Sequence, residues 1–359
     1  MMTKCGRWNR VGMGLAEGSW IRMLAVFVAM VGSGCTDSLV DTSARRVVAT
    51  RHVDFLNDDG IHAFLCGTGI PMAVRGRAGA CTAVLAAGQF ILIDTGPGSW
   101  ANIADDQLPA SRLSAVLLTH FHSDHIADLG EVATQSWMLG REGPLDIYGP
   151  EGVEQVVAGF DEAYTLDRKY RTALFGKKNL PSEAGEMRAH PVALLDSDGT
   201  GVVLDRNGLK VVAFAVNHGP AAPAYGYRFE YKGKVLVISG DTSRSDNLVK
   251  HAADADVLIQ EVAAKNLVNR AADDLAGWGH ARLASMARDA LTGHTSPAEA
   301  VEMARDAGVK KLVFTHIAPS LPNWAPDFIS RWLFFGSLTT GFEGDVIFGK
   351  DEMWINAGQ

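Results

Sequence analysis

The chain contains few cysteines, and no two of them have the spacing of a metal site. Four cysteines occur in 359 residues, and none belongs to a Cys-x-x-Cys motif, which excludes the common cysteine-ligated zinc sites. Cys66 and Cys81 each lie in an apolar run. A buried free thiol and a disulfide are both compatible with such a position, so the sequence leaves their pairing open.

The sequence also lacks an excess of basic charge, repeats and low-complexity tracts. Its 33 basic and 41 acidic residues give a formal net charge of −8. An acidic protein is a poor match for a long polyanion, so on charge grounds we do not expect nucleic acid as a partner. With 47% hydrophobic and 21% charged residues, the composition is that of a globular protein with a large core.

The first 36 residues have the composition of an export signal. Four basic residues precede nine apolar ones, residues 23–31, and the small residues 32–34 lead into Cys35. Nine apolar residues are too few to span a bilayer, and this order is typical of a signal peptide. The Gly-Ser-Gly-Cys ending resembles the lipobox of bacterial lipoproteins. We therefore predict an export signal over 1–36, a domain over 37–359, and a periplasmic or lipid-anchored location, with ordinary cleavage or an uncleaved anchor as alternatives.

Short apolar runs alternate with helical segments over the rest of the chain. Runs such as residues 89–93, 114–118 and 235–239 are rich in branched side chains and are typical of buried strands. Residues 296–308 predict a helix, because Ser296 is a suitable N-cap and is followed by proline and, three positions on, by Glu299. Mixed strands and helices predict a layered α/β architecture.

A dense group of ligand-type side chains follows one predicted strand. The loop after residues 114–118 reads THFHSDH and contains three histidines and an aspartate. Such polar groups would be unfavourable in a core unless each had a partner. His-x-His on an extended segment directs two imidazoles the same way, and the Asp-His pair adds two more donors. This arrangement suits two adjacent divalent metals.

Three later residues have the same context as this loop. His218, Asp241 and His316 each follow an apolar run within three residues. Any one of them alone is compatible with a hydrogen-bonded core histidine or a turn aspartate. Together with the THFHSDH loop, they predict one metal site at the edge where several strands end.

The THFHSDH motif, with the three later residues, resembles the metallo-β-lactamase superfamily. The resemblance implies an α/β fold, an αββα sandwich of two mixed β-sheets flanked by helices, with metals at one edge. It implies two zinc ions, with Mn²⁺ or Fe²⁺ as alternatives, and Asp94 as a support for a ligand imidazole. The implied metal ligands are His120, His122 and His218 for one ion, Asp124, His125 and His316 for the other, and Asp241 as the bridge.

Within the superfamily, the chain resembles tRNase Z and its relatives, the arylsulfatases and phosphodiesterases. The resemblance rests on LCGTGIP, on the strand pair before Asp241, and on GHTSPAEAVEMARDAGVKKLVFTHIAP. It implies a catalytic His294 supported by Glu261, although Gln260 stands where the branch usually has histidine. The stretch MAVRGRAGAC lacks the Arg-Asn pair of the tRNA-recognition segment, so we do not expect tRNA as the substrate.

These features predict a metal-dependent hydrolase that acts on a small-molecule ester or amide. The leading expectation is hydrolysis of phosphodiester or related ester bonds by a hydroxide formed at two zinc ions, with Asp124 orienting the nucleophile. His294 would assist the leaving oxygen. The alternative is opening of a β-lactam or lactone ring at the same site. The aromatic-rich residues 323–338 are compatible with core burial, a pocket roof, a homodimer interface or a membrane contact.

Overall fold

The computed structural model describes residues 40–45, 49–195, 199–336 and 341–358. The predicted export signal, 1–36, lies outside the described residues. The chain forms two compact units, residues 1–50 and 51–359, and in the first of them residues 40–45 are helical. Within the described ranges, no helix combines the length and apolar character needed to cross a membrane.

Two seven-stranded sheets form the second unit, and both mix parallel and antiparallel pairs. The first sheet has the strand order β14-β1-β2-β3-β4-β5-β6 and the second the order β13-β12-β11-β10-β9-β8-β7. The strands of the first sheet are β1 (Ile61–Gly67), β2 (Cys81–Ala86), β3 (Gln89–Ile93), β4 (Leu113–Leu117), β5 (Leu145–Gly149), β6 (Met187–Pro191) and β14 (Met353–Ala357). Those of the second are β7 (Thr200–Arg206), β8 (Leu209–Val216), β9 (Ala224–Tyr231), β10 (Lys234–Ile238), β11 (Val257–Ala263), β12 (Lys311–Ala318) and β13 (Asp345–Phe348).

Helices connect the strands and cover the outer faces of the sheets. The helices are α1 (Ser99–Asp105), α2 (Ser123–Ile126), α3 (Leu129–Met138), α4 (Val153–Phe175), α5 (Asp246–His251), α6 (Lys265–Gly277), α7 (Ala281–Ala290), α8 (Pro297–Asp306) and α9 (Asp327–Phe335). Helix α8 confirms the capping prediction, because the Ser296 hydroxyl accepts from the Glu299 amide and the Glu299 carboxylate accepts from the Ser296 amide.

The core has three apolar layers, which fixes the αββα order. Ile91 of β3 and Ile259 of β11 pack in the layer between the two sheets, whereas the adjacent Leu92 and Leu258 face the helices on either side. Successive strand residues point to opposite faces, and both faces of these strands are buried. This explains why the strands read as continuous apolar runs, and it confirms the expected αββα sandwich.

The aromatic-rich segment is divided between core and surface. Phe334 of α9 is buried against the second sheet, but Trp324, Phe328 and Trp332 are 80%, 71% and 68% exposed. Core burial therefore holds for only part of this segment, and residues 337–338 of it lie outside the described ranges.

Cys66 and Cys81 form a disulfide between β1 and β2. Both residues are buried, and Cys81 pairs in register with Gly67, the neighbour of Cys66. The bond closes the segment that carries the GTG turn. This pairing answers the question that the sequence left open.

Removing the disulfide should lower the free energy of unfolding by about 3 kcal/mol, because the bond closes a loop of 15 residues. The comparison is between the wild type and the Cys66→Ala, Cys81→Ala double variant in a denaturant titration. A reducing agent should destabilise the wild type by a similar amount and leave the double variant unchanged. Equal sensitivity of the two proteins to the reductant would contradict the bond.

Candidate metal centre

Asp94 holds both ends of the THFHSDH loop. It follows β3 directly and has a φ of 60°, in the left-handed region that non-glycine residues rarely adopt. Its carboxylate accepts hydrogen bonds from the Thr119 amide and hydroxyl, both at 2.8 Å. It also accepts from Nδ1 of His125 at 2.8 Å. The loop is therefore fixed at its start and at its end by one buried carboxylate.

Three imidazoles form a first donor group: His120, His122 and His218, with ligand atoms all within 4.8 Å of one another. Nδ1 of His218 donates to the Gly293 carbonyl at 3.0 Å, which turns Nε2 inward. The Thr119 hydroxyl donates to Asp94 and therefore accepts from Nδ1 of His120, at 3.1 Å. Nε2 of His120 lies 2.9 Å from Nδ1 of His122.

The electrostatics of this group favour neutral imidazoles. Burial lowers the pKa of His120 far below its ordinary value, and the charge of His125 lowers it further. Burial and the neighbouring His218 also lower the pKa of His122. Because the neutral ring is the form that binds a metal, these shifts suit a ligand role.

A second donor group consists of Asp124, His125 and His316, again within 4.8 Å of one another. Nε2 of His316 lies 3.1 Å from Oδ2 of Asp124, and Nε2 of His125 lies 3.6 Å from the same oxygen. Nε2 of His125 is buried and has no hydrogen-bond partner among the described residues. A buried nitrogen beside carboxylates and without a donor or acceptor partner is the environment expected of a metal ligand.

Asp241 lies between the two groups. Its Oδ2 is 3.3 Å from Nε2 of His125, 3.5 Å from Nε2 of His316 and 3.8 Å from Nε2 of His218. Burial alone would raise its pKa, but the charges of His316 and His125 outweigh burial and hold the pKa well below the usual range. A buried carboxylate that stays ionised between two donor groups is suited to bridging two cations.

A positive charge is favoured at the centre of this arrangement. Burial opposes protonation of His125, yet the carboxylates of Asp241 and Asp94 outweigh it and raise the His125 pKa well above its ordinary value. Either a proton or a metal ion can satisfy such carboxylates. The donor set of five imidazoles and two carboxylates fits divalent metals such as zinc.

His316 occupies a different position in its strand from the one the sequence indicated. The sequence indicated that His316 lies after the end of a strand. In the structure it lies within β12, which continues to Ala318. Its φ is 43°, and the pairing of β11 with β12 shifts register between Glu261 and Val262. This irregularity is a β-bulge, which redirects one side chain without ending the strand. The bulge therefore aims His316 at the metal centre.

Glu261 and His294 form a pair beside the centre. Oε2 of Glu261 lies 3.1 Å from Nδ1 of His294, and Oε1 accepts from the Thr295 amide at 2.7 Å. Burial alone would lower the His294 pKa, but the buried Glu261 carboxylate outweighs it and raises the pKa to about 9. His294 also lies within 4.8 Å of His218 and Asp241 as a potential ligand. Gln260 stands where the tRNase Z branch usually has histidine. Its side chain donates to the Thr295 hydroxyl at 3.4 Å and so helps to hold the loop that carries His294.

Two glycines that the sequence did not single out shape the floor of the site. A Cβ on Gly79 would lie 2.8 Å from the Asp124 carbonyl oxygen, and one on Gly96 would lie 2.2 Å from it. Both are shorter than a normal contact, so only glycine lets these segments approach the Asp124 turn. The Asp-Thr-Gly triplet, residues 94–96, is the sequence feature that could have pointed to Gly96.

Comparisons with known proteins identify the family of the chain. The β-lactamase superfamily domain matches residues 89–317. Ribonuclease Z of Mycobacterium marinum is 34% identical over 295 residues, which cover 81% of this chain and 96% of that protein. Ribonuclease Z of Mycolicibacterium paratuberculosis is 38% identical over 264 residues, 73% of this chain and 87% of that protein.

A solved structure agrees at the level of the fold. The crystal structure of human tRNase Z, short form, matches with a TM-score of 0.57 at 22% identity, over 82% of this chain and 98% of that chain. The family and the hydrolase class expected from the sequence are confirmed by these matches. The chain belongs to the metallo-β-lactamase superfamily, in the branch of ribonuclease Z, and is a metal-dependent hydrolase of that superfamily.

Proposed function

We propose that the chain is a dinuclear zinc-dependent hydrolase of phosphodiester or related ester bonds. The observation that carries this proposal is the pair of donor groups with Asp241 between them, and with Glu261 and His294 beside them. Two divalent cations there would supply a nucleophile from water at neutral pH and offset charge on the scissile group. The relatives named ribonuclease Z support a phosphodiester as the bond that is cleaved.

Asp124 is suited to orienting the attacking water. Burial alone would raise its pKa, but the hydrogen bond from His316 and the charge of His125 outweigh burial and lower the pKa. The carboxylate therefore stays ionised and can accept a hydrogen bond. The Asp94 carboxylate keeps the imidazole of His125 in place through Nδ1, so that Asp124 and His125 hold a fixed geometry.

His294 is suited to assisting the leaving oxygen. Its Nδ1 faces Glu261, and the raised pKa keeps the ring protonated at neutral pH. The other nitrogen can then donate to an oxygen that gains charge as the bond breaks. Glu261 is held at Oε1 by the Thr295 amide, so the pair is positioned before a substrate binds.

The alkaline limb of the pH profile should report on His294. Its pKa is raised to about 9 by Glu261, and cations beside it would lower this value, so kcat is expected to fall as the pH rises toward 9 or somewhat below. Glu261→Gln removes the raising charge, so the limb should move to lower pH. The measurement is kcat against pH for a substrate with a poor leaving group. An unmoved limb in Glu261→Gln would remove His294 from this role.

The substrate class is the open part of the proposal. The acidic charge and the MAVRGRAGAC stretch favour a small phosphodiester, whereas the relatives named ribonuclease Z weigh against the expectation that nucleic acid is not a partner. We therefore include an RNA 3′ end among the candidate substrates. Opening of a β-lactam or lactone ring is the rival reaction at the same site.

A hydrolysis panel on the zinc-loaded full chain tests the proposal. The substrates are bis(p-nitrophenyl) phosphate, a structured RNA with a 3′ extension, an aryl sulfate, a lactone and a cephalosporin. The expected result is the highest kcat/KM for one of the two phosphodiesters, with loss of that activity in Asp241→Asn. Faster turnover of the lactone or the cephalosporin would overturn the phosphodiester assignment. Parallel loading with Mn²⁺ and Fe²⁺ identifies the preferred metal.

We also propose that the chain is exported and that Cys35 carries a lipid. The buried disulfide between Cys66 and Cys81 supports an oxidising compartment, and the residues around 23–35 support the lipid. Expressed in a bacterium, the chain should enter the membrane fraction, and Cys35→Ser should release it or block its processing. Cys5→Ser is the matched control and should change nothing. Identical fractionation and identical processing of all three proteins would contradict lipidation.

A further inference from the structure

One imidazole of the metal centre lacks a partner at its outer nitrogen. Among the four buried imidazoles of the centre, the outer nitrogens of His120, His125 and His218 each face a protein oxygen. Nδ1 of His316 is also buried, but it makes no hydrogen bond with any described residue. A buried ring nitrogen without a partner is unfavourable, since it has lost water and gained nothing.

A small cavity lies against the same residue, beneath the metal centre. Its volume is about 20 Å³, and the polar residues that line it are Thr82, Asp94, His125, Ser239, Asp241, Glu261, Thr315 and His316. A cavity of this size holds one water molecule and no larger ligand. The lining supplies hydroxyl groups and three carboxylates, and a buried water needs two to four such partners.

We propose that one ordered water molecule binds in this cavity and accepts the Nδ1–H of His316. The hydroxyls of Thr82 and Thr315 are its further partners, because both residues line the cavity. The water accepts a hydrogen bond from the outer nitrogen of His316. Asp94, Gly293 and Thr119 accept the corresponding hydrogen bonds from the other three buried rings. With this water, each buried imidazole of the centre has a hydrogen-bond partner that orients it.

The bound water has a consequence for the donor group in front of it. A proton held on Nδ1 leaves Nε2 as the nitrogen that faces the Asp124 carboxylate, at 3.1 Å, and the Asp241 carboxylate, at 3.5 Å. This tautomer presents a lone pair of His316 to a metal in the second group. That consequence rests on the proposed function, whereas the water itself does not. His316 also sits at a bulge with a φ of 43°, so its ring is held by side-chain contacts as well as by the strand.

The test uses valine in place of threonine, which removes a hydroxyl and keeps the shape of the side chain. The variants are Thr82→Val and Thr315→Val, made singly so that one can replace the other if it folds poorly. Thr95→Val is the matched control. Its hydroxyl is buried and makes no hydrogen bond within the described part of the chain. Its amide donates to the His125 carbonyl at 2.7 Å, so it lies close to the site without lining the cavity.

A crystal structure of the metal-free protein at atomic resolution should show one water within about 3 Å of Nδ1 of His316. The water should be lost or displaced in Thr82→Val or Thr315→Val. In the zinc-loaded protein, the dissociation constant of the weaker zinc should rise about 10-fold or more in these variants. Chelator competition measures it, and Thr95→Val should match the wild type.

No density beside Nδ1 in the wild type, or a protein group bound there instead, would overturn the water site. Metal affinity in both threonine variants equal to that of Thr95→Val would overturn its role in orienting His316. If the wild type binds no zinc, the proposed function fails, and the metal-free crystal structure still decides whether the water is present. The nitrogen chemical shifts of His316 give a further readout, since they distinguish a proton on Nδ1 from one on Nε2.

Discussion

Replacing Asp241 with alanine should remove tightly bound metal and hydrolysis together, with kcat/KM falling by about 10⁴-fold or more. The Asp241 carboxylate lies within 3.8 Å of three imidazoles, one from the first donor group and two from the second. Its loss removes one ligand from each group and the negative charge that offsets two cations. Elemental analysis after zinc loading and a phosphodiester assay measure the two effects.

Asp246→Ala is the matched control for that experiment. Asp246 lies in the first turn of α5, where its carboxylate pairs with Arg244 on the surface, so the same substitution there should leave metal content and rate unchanged. His122→Ala should reproduce the Asp241 result, because it removes a ligand from the first group. Retention of two metals and of activity in Asp241→Ala would contradict the bridging role. A loss in Asp246→Ala as well would point to general destabilisation.

His294→Ala is expected to keep both metals and the fold while kcat falls by about 10²- to 10⁴-fold, the usual range for a positioned general acid. The loss should be smaller for a nitrophenolate leaving group, which needs little protonation, than for an alkoxide. A series of aryl and alkyl phosphodiesters measures this dependence. The metal content of each variant is determined on the same samples.

Two outcomes would overturn the role given to His294. Equal losses across the leaving-group series would make it a substrate-positioning residue. Depletion of metal in His294→Ala would make it a ligand, which its position within 4.8 Å of His218 and Asp241 also permits. Because Glu261 is buried and holds the loop through the Thr295 amide, Glu261→Gln separates the charge of this pair from its hydrogen bonds.

The sequence predicted the parts of the site that depend on local pattern. The THFHSDH loop follows β4 as expected, since a buried apolar strand must end where three histidines and an aspartate begin. Helix α8 was predictable because Ser296 and Glu299 satisfy each other's amides, a contact that spans only three residues. The αββα order followed from the family resemblance, and the packing of Ile91 and Leu92 to opposite layers bears it out.

Other parts depend on contacts between distant residues and could not be read from the sequence. The disulfide requires the register of β1 against β2, which places Cys81 opposite Gly67. The bulge at His316 depends on how β12 pairs with β11, and nothing in the apolar run before it signals a shift of register. The contact of Glu261 with the Thr295 amide likewise joins residues 34 positions apart, whereas the contact of Glu261 with His294 was expected from the family resemblance.

The number of zinc ions held by the purified chain tests the central claim most directly. After loading with zinc and removal of free metal, elemental analysis should find about two zinc ions per chain, because six donor side chains form two groups around the seventh, Asp241. Well under one zinc ion per chain, in protein that is folded, would contradict the dinuclear site and the hydrolytic mechanism built on it.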